Sequence, residues 1–398
     1  MHNHLALITI AFLVLFFGLF SKLSERSPVS GPMFFVAVGI LVGPIGFSLI
    51  QVQLNTEIVK TLAELTLIIL LFVDASFIKF SEIRKTLAGI PARLLLLGLP
   101  LTMGLGTLVA LWLYPSSNIW ALALLAFILS PTDAALGQAV VKSGHVPERV
   151  RESISIESGL NDGLVLPPIL LCIAVLATGG EALAGDGRWL IFMAKQLTIG
   201  PLVGAMVGLI GGRMIDIATN RNWMGPIFHE LSAIALAILA YSCAELFHGN
   251  GFIAAFFAGL FLGTRKQVVR ERLQEFGEAE GQLFSLIIFF LLGLIAVPTF
   301  YPYWDANTFI YAVLSLTVIR IVPVMLCLIG SGLSLYSKVF IGWFGPRGIA
   351  SLLYMLILVS NLGPESYREL ISVIVLTVLL STFLHGLSAV FLSKRFSK

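Results

Sequence analysis

The chain alternates long apolar runs with short polar breaks. The runs cover roughly 5–21, 32–50, 57–78, 87–113, 117–141, 153–178, 189–212, 228–247, 250–263, 281–297, 307–329, 338–360 and 367–392. Most approach the roughly 20 apolar residues that carry a helix across the hydrocarbon core. The ninth is shorter and reads as tilted or partly interfacial. Stretches such as Leu286–Val297 and Ile371–Leu380 lack the two-residue alternation of a membrane barrel strand. In lipid, backbone polar groups must be satisfied inside a helix or a closed barrel. The pattern therefore predicts an all-α membrane protein with about 13 transmembrane helices.

The polar breaks sort by charge. If the spans alternate direction, one side receives Lys22 and Arg26; Lys79, Arg84 and Lys85; Lys142, Arg149 and Arg151; Arg213 and Arg221; Arg265, Lys266, Arg270 and Arg272; Lys338; and Lys394, Arg395 and Lys398. The other side receives Arg188 and Arg368. Cytoplasmic loops carry the excess of Lys and Arg, which predicts an outside N-terminus and a cytoplasmic C-terminus in the cell membrane. The first run carries its basic residues behind it and has no small-residue cleavage pattern, so it reads as a retained span. Little follows the last run, and no soluble C-terminal domain is expected.

Composition agrees with this picture. The 398 residues are 58% apolar and 12% charged, against about 25% charged in a soluble domain. The net charge of +3 is spread over the loops and forms no nucleic-acid patch. Cys172, Cys243 and Cys327 lie inside apolar runs and suggest neither a disulfide framework nor a metal site.

Thirteen spans divide into a repeat of six (about 5–178), a linker helix (about 189–212) and a second six (about 228–392), which would insert with opposite polarity. Transporters built from inverted repeats bind substrate at the midplane, on helices broken at corresponding places. The fifth and twelfth spans correspond under this division. The fifth holds Ser130-Pro131-Thr132-Asp133 and the twelfth Gly345-Pro346-Arg347-Gly348. Each is a proline-centred break followed by a charge. Proline removes a backbone hydrogen bond and kinks the helix.

Ionisable residues at bilayer depth are costly and mark function. In the sixth span Glu157 and Asn161 share one helix face, and Ser158 and Asp162 share the next. Asp162 is the natural cation ligand. Burial raises a carboxyl pKa and a bound cation lowers it, so one aspartate can hold a proton or a cation in turn. Thr132 offers a hydroxyl beside the carbonyls of the fifth-span break, and Asp133 can balance the half-helix N-termini there. It would act as an ion ligand, as a cap, or as both. Arg347 needs an anion, and Glu157 is the expected partner, leaving Asp162 to the ion. Asp74, near the cytoplasmic end of the third span, reads as a cavity or gate residue or as an interfacial one. His229, Glu230, Glu245 and His248 read as structural or interfacial. Arg320 lies deep in the eleventh span with no nameable partner.

At these residues the sequence resembles the monovalent cation:proton antiporters, in the branch that holds the microbial electroneutral sodium/proton antiporters and the animal sodium/hydrogen exchangers. The resemblance rests on Pro131-Thr132-Asp133, Glu157-Ser158-Gly159-Leu160-Asn161-Asp162 and Gly345-Pro346-Arg347-Gly348. It implies a thirteen-helix fold with two broken helices crossing at the midplane, a homodimer, and alternating access of a core bundle against a scaffold. It implies that Asp162 carries sodium or another monovalent cation with help from Ser158, Thr132 and Asp133. Asn161 would orient the site and Glu157 would pair with Arg347. Asp74 sits where relatives carry an acidic residue. With Asn161 rather than a second aspartate beside Asp162, one proton for one cation is the expected ratio. No cofactor is implied; the cation and the proton are substrates. The sequence departs from the family where Ala134 follows Asp133 in place of a usual proline, and where Pro346 replaces an aliphatic residue.

Other functions fit less well. A potassium/proton exchanger would use the same ligand types. An anion carrier would need uncompensated arginine, whereas acidic groups outnumber Arg347 here. A channel would need a wide polar lining. An intramembrane enzyme would need a nucleophile–base pair or an H-E-x-x-H motif in the spans, and neither is found.

Overall fold

A computed structural model describes residues 2–24, 29–50, 57–77, 89–141, 143–179, 188–264 and 267–397. The described residues form helices and no strands. The helices are α1 His2–Ser24, α2 Gly31–Val42, α3 Glu57–Ser76, α4 Ile90–Leu113, α5 Ile119–Ile128, α6 Ala134–Val141, α7 Glu148–Ala177 and α8 Arg188–Asn220. They continue with α9 Pro226–Leu246, α10 Gly251–Leu260, α11 Gln267–Leu291, α12 Ala306–Leu316, α13 Val318–Cys327, α14 Leu335–Trp343, α15 Ile349–Leu362 and α16 Arg368–Ser393. Each expected span falls on one of these helices or on a consecutive pair. Seven described helical stretches are long and apolar enough to cross a membrane, and five apolar helices are shorter. The protein is a multi-pass membrane protein.

Prolines shape the spans. α4 contains a widened π turn at Leu94–Gly98 ahead of Pro100, and α11 runs into another at Leu292–Ala296 ahead of Pro298. A π turn accommodates a carbonyl that proline leaves without its amide. α2 stops at Val42, sooner than expected, because Gly43 and Pro44 follow. α11 starts earlier than expected, at Gln267, in a polar stretch that the apolar pattern does not register.

The chain divides into two compact units. One comprises Met1–Lys60, Gly89–Asn161 and Ser285–Lys398, and the other Thr61–Ala88 and Asp162–Phe284. In the first unit α16 is the inner helix. Ile371, Val373, Ile374, Val375 and Val378 are fully buried, and so are Ser372 and Thr377 among them, as expected of a helix surrounded by others. Outward residues of α4 such as Leu96, Leu101, Leu108 and Trp112 are exposed, the apolar side chains that a lipid-facing helix presents. In the second unit α8 meets α10 along Gly204 and Gly208. A Cβ at either glycine would strike the α10 backbone at Ala254 or Ala258. This is the small-xxx-small contact that brings membrane helices together. Arg270 closes two helix ends in that unit, donating to Ser76 O at 3.0 Å and Leu262 O at 3.2 Å.

Candidate ion-binding site

The two predicted breaks are present. The expected span 117–141 is two helices, α5 and α6, joined by non-helical residues 129–133. The expected span 338–360 is α14 and α15, joined by 344–348. The two extended segments cross and are bonded to each other: Asp133 N–H donates to Pro346 O at 2.8 Å.

Asp133 is the joint of this crossing. Its Oδ1 accepts from Leu136 N–H at 3.2 Å, capping α6, and its Oδ2 accepts from Ile349 N–H at 2.6 Å, capping α15. One carboxylate thus faces the positive ends of two half-helices. The fit is tight, since a Cβ at Gly348 would collide with the Asp133 carboxylate.

Arg347 is fully buried and ties the crossing from the other side. Its Nη1 donates to Ser130 O at 2.6 Å and Pro131 O at 3.1 Å. These carbonyls lie just beyond the C-terminal end of α5, where the chain leaves the helix and the dipole is negative. Sequence reasoning pairs Glu157 with Arg347, and the structure corrects this. Glu157 instead takes Arg320 in a two-pronged pair, 2.6 Å from Nη1 to Oε1 and 2.7 Å from Nη2 to Oε2, with both residues 1% exposed. Arg320 follows a third interruption, at Thr317 between α12 and α13. The carbonyls at the α5 break hold one Arg347 nitrogen, Nη1, while its Nε and Nη2 have no hydrogen-bond partner among the described residues, and the glutamate is matched to the other arginine.

A hydroxyl–amide cluster lies where α7 meets the fifth-span break. Thr132 Oγ1 is 2.9 Å from Ser158 Oγ and accepts from Asn161 Nδ2 at 2.8 Å. All three residues are buried, and Asn161 Oδ1 has no hydrogen-bond partner among the described residues. Asp162 follows Asn161 on α7 and is half-buried. By helical periodicity it stands one turn beyond Ser158 on the same face. Asp74 is half-buried near the C-terminal end of α3. Thr132, Asp133, Glu157, Ser158, Asn161 and Arg347 are all in the first unit, and bonds join the fifth-span break both to α7 and to the twelfth-span break. The residues that sequence reasoning missed are Arg320 as the partner of Glu157, and Ser381 and His385 on α16. Arg320 carried a usable signal, being an arginine at membrane depth with one buried glutamate to claim.

A crossing of two discontinuous helices, cross-tied by buried charges, is the plan of a secondary transporter. The chain belongs to the sodium/hydrogen exchanger transmembrane family, whose model matches residues 8–395. Among curated relatives it is similar to a K(+)/H(+) antiporter NhaP of Alkalimonas amylolytica, 27% identical over 355 residues, which are 89% of this chain and 60% of the relative. It is also similar to a Na(+)/H(+) antiporter of Schizosaccharomyces pombe, 23% identical, covering 92% of this chain and 82% of that one. The chain thus spans less than two thirds of the first of these relatives. The solved sodium proton antiporter MjNhaP1 of Methanocaldococcus jannaschii shares the fold, with a TM-score of 0.77, 18% identity and 99% of each chain covered.

Proposed function

We propose that this protein is a secondary active antiporter that exchanges Na+ or another monovalent cation for H+, one for one, with the two competing for Asp162. The observation that carries the reading is the buried oxygen cluster of Thr132, Ser158 and Asn161 at the helix crossing, one turn from Asp162 along α7. Hard monovalent cations take hydroxyl, carbonyl and carboxylate oxygens. Asn161 is neutral, so the pair Asn161–Asp162 brings one titratable group where two aspartates would bring two. Asp133 acts chiefly as the double cap, with its role as a direct ligand secondary. Potassium is the second reading, favoured by the K(+)/H(+) antiporter relatives.

The test is proton flux in sealed vesicles after addition of sodium, potassium or lithium, with and without a clamped membrane potential. One-for-one exchange gives a rate indifferent to the clamp, and the ion that drives flux names the substrate. Asp162→Asn is expected to abolish exchange while the protein still elutes as a folded peak. Retained exchange in that variant would overturn the mechanism.

The proposal includes the inverted arrangement of the repeats 5–178 and 228–392, supported by the matching breaks in the fifth and twelfth spans. It includes a cell-membrane location with the N-terminus outside, supported by the sorted loop charges. It also includes a homodimer, for which a detergent-corrected mass near twice 43.1 kDa is expected and a monomer mass would refute it.

A further inference from the structure

α16 grips the break between α14 and α15 from both ends. His385 Nε2 lies 2.8 Å from the carbonyl of Trp343, the last residue of α14, which also receives Gly345 N–H. A carbonyl only accepts, so Nε2 carries the hydrogen. Nδ1 lies 3.0 Å from both the Ser381 hydroxyl and the Ser381 carbonyl; with the hydrogen of the neutral ring placed on Nε2, at the shorter contact, Nδ1 accepts from the hydroxyl. Ser381 Oγ in turn accepts the backbone N–H of Arg347 at 2.7 Å. A second tie runs from Trp343 Nε1–H to Ser388 Oγ at 2.9 Å. Ser381 and His385 are fully buried, and the imidazole packs 5.0 Å from the Trp343 ring. The chain of bonds therefore runs from the end of one half-helix, through one turn of α16, to the extended segment before the other.

We infer that His385 and Ser381 are positioning residues for the ion site. They fix 343–347, which lets the Arg347 guanidinium reach the Ser130 and Pro131 carbonyls and brings the first amide of α15 to Asp133. Those two contacts hold the segment that carries Thr132. The inference rests on the exchange reading proposed above. Nothing in the sequence distinguishes His385 from an ordinary buried histidine, because Trp343 is reached only through the fold, and Ser381, one turn back on the same helix, becomes a link only through its bond from Arg347.

The variants His385→Ala, His385→Gln and Ser381→Ala test it, each with two measurements. A glutamine amide nitrogen reaches the place of Nε2 and can donate to Trp343 O, whereas alanine cannot. His385→Ala is expected to raise the cation concentration for half-maximal exchange roughly tenfold, the effect of one lost buried hydrogen bond, with a smaller fall in maximal rate. His385→Gln is expected to stay within about twofold of wild type on the same arithmetic. The second measurement is amide hydrogen exchange over residues 343–349 without any transported ion. It should speed up in His385→Ala and Ser381→Ala and stay slow in His385→Gln. If His385→Ala does not fold, the Ser381→Ala and His385→Gln comparison decides. Wild-type affinity and amide protection in the alanine variants would overturn the inference, as would a glutamine variant as impaired as alanine. If wild-type protein drives no exchange, the exchange reading fails, and the amide measurement still decides whether the clamp exists.

Discussion

Two buried arginines and one buried glutamate share the first unit, and the choice between them is a matter of single bonds. Glu157 takes Arg320, while Arg347 makes do with two carbonyls. Removing one partner of a buried pair leaves an uncompensated charge and costs about 3–5 kcal/mol. Arg320→Ala should therefore fall sharply in thermal stability, measured by fluorescence-detected size exclusion, and adding Glu157→Gln should recover part of the loss. The same second change should do nothing for Arg347→Ala. Rescue of Arg347→Ala by Glu157→Gln would restore the pairing that sequence suggests. That pairing was illegible for a physical reason. The acceptors of Arg347 are main-chain carbonyls at a helix break, and a carbonyl has no letter in the sequence. The charged residues themselves were legible, because a charge at membrane depth is conspicuous against an apolar background.

At the scale of elements, the breaks that contain proline were legible and the break without one was not. Ser130-Pro131 and Gly345-Pro346 announce the crossing of 129–133 and 344–348. The interruption at Thr317 has no comparable signal, since threonine is common inside membrane helices and here donates back to Val313 O at 2.7 Å. Start signals also do measurable work. Asp305 caps α12, its Oδ1 accepting from Thr308 N–H at 2.8 Å and from the Thr308 hydroxyl at 2.7 Å. Desolvation pushes the Asp305 carboxyl up, and the hydrogen bonds from the Thr308 hydroxyl and nearby backbone amides together outweigh it, holding the carboxyl below its ordinary value. A depressed folded value means the ionic contribution is present above the unfolded carboxylate range and is lost as pH falls through the folded value. Asp305→Ala should cost about 1 kcal/mol at neutral pH, less whatever solvent screening removes. That difference should shrink as acid is added. Asp305→Asn keeps an acceptor oxygen, so its stability should vary less with pH over that range than wild type. A thermal unfolding series from pH 7 downward reads all three, and a constant gap between wild type and Asp305→Ala would contradict the charge argument.

For the molecule as a whole, the loop charges make a claim about sides. In a background with Cys172, Cys243 and Cys327 replaced, Glu365→Cys should react with a membrane-impermeant maleimide on intact cells. Arg221→Cys should react only after the membrane is opened. Glu365 and Arg221 are both exposed, which makes them usable reporters. The opposite pattern would invert the proposed orientation. The number and order of the spans could be read from sequence because lipid enforces one rule on every segment: each spans as a helix or does not span. Which helices gather around which is set by shape, through contacts such as those of Gly204 and Gly208 of α8 with the α10 backbone, and shape is not written in hydropathy.

On the exchange reading proposed above, the contact between Thr132 and Ser158 governs how many oxygens an ion can see. A hydroxyl owns one hydrogen and two lone pairs. Thr132 spends one lone pair on the Asn161 amide. If its hydrogen points to Ser158, one lone pair on each hydroxyl is left over, and both oxygens can turn toward a cation. If the hydrogen of Ser158 points to Thr132 instead, both lone pairs of Thr132 are occupied and only Ser158 can contribute. The direction of a single O–H bond therefore sets whether the crossing offers one hydroxyl oxygen or two. Valine at 132, nearly the same size, would offer none and would leave the asparagine amide without its acceptor.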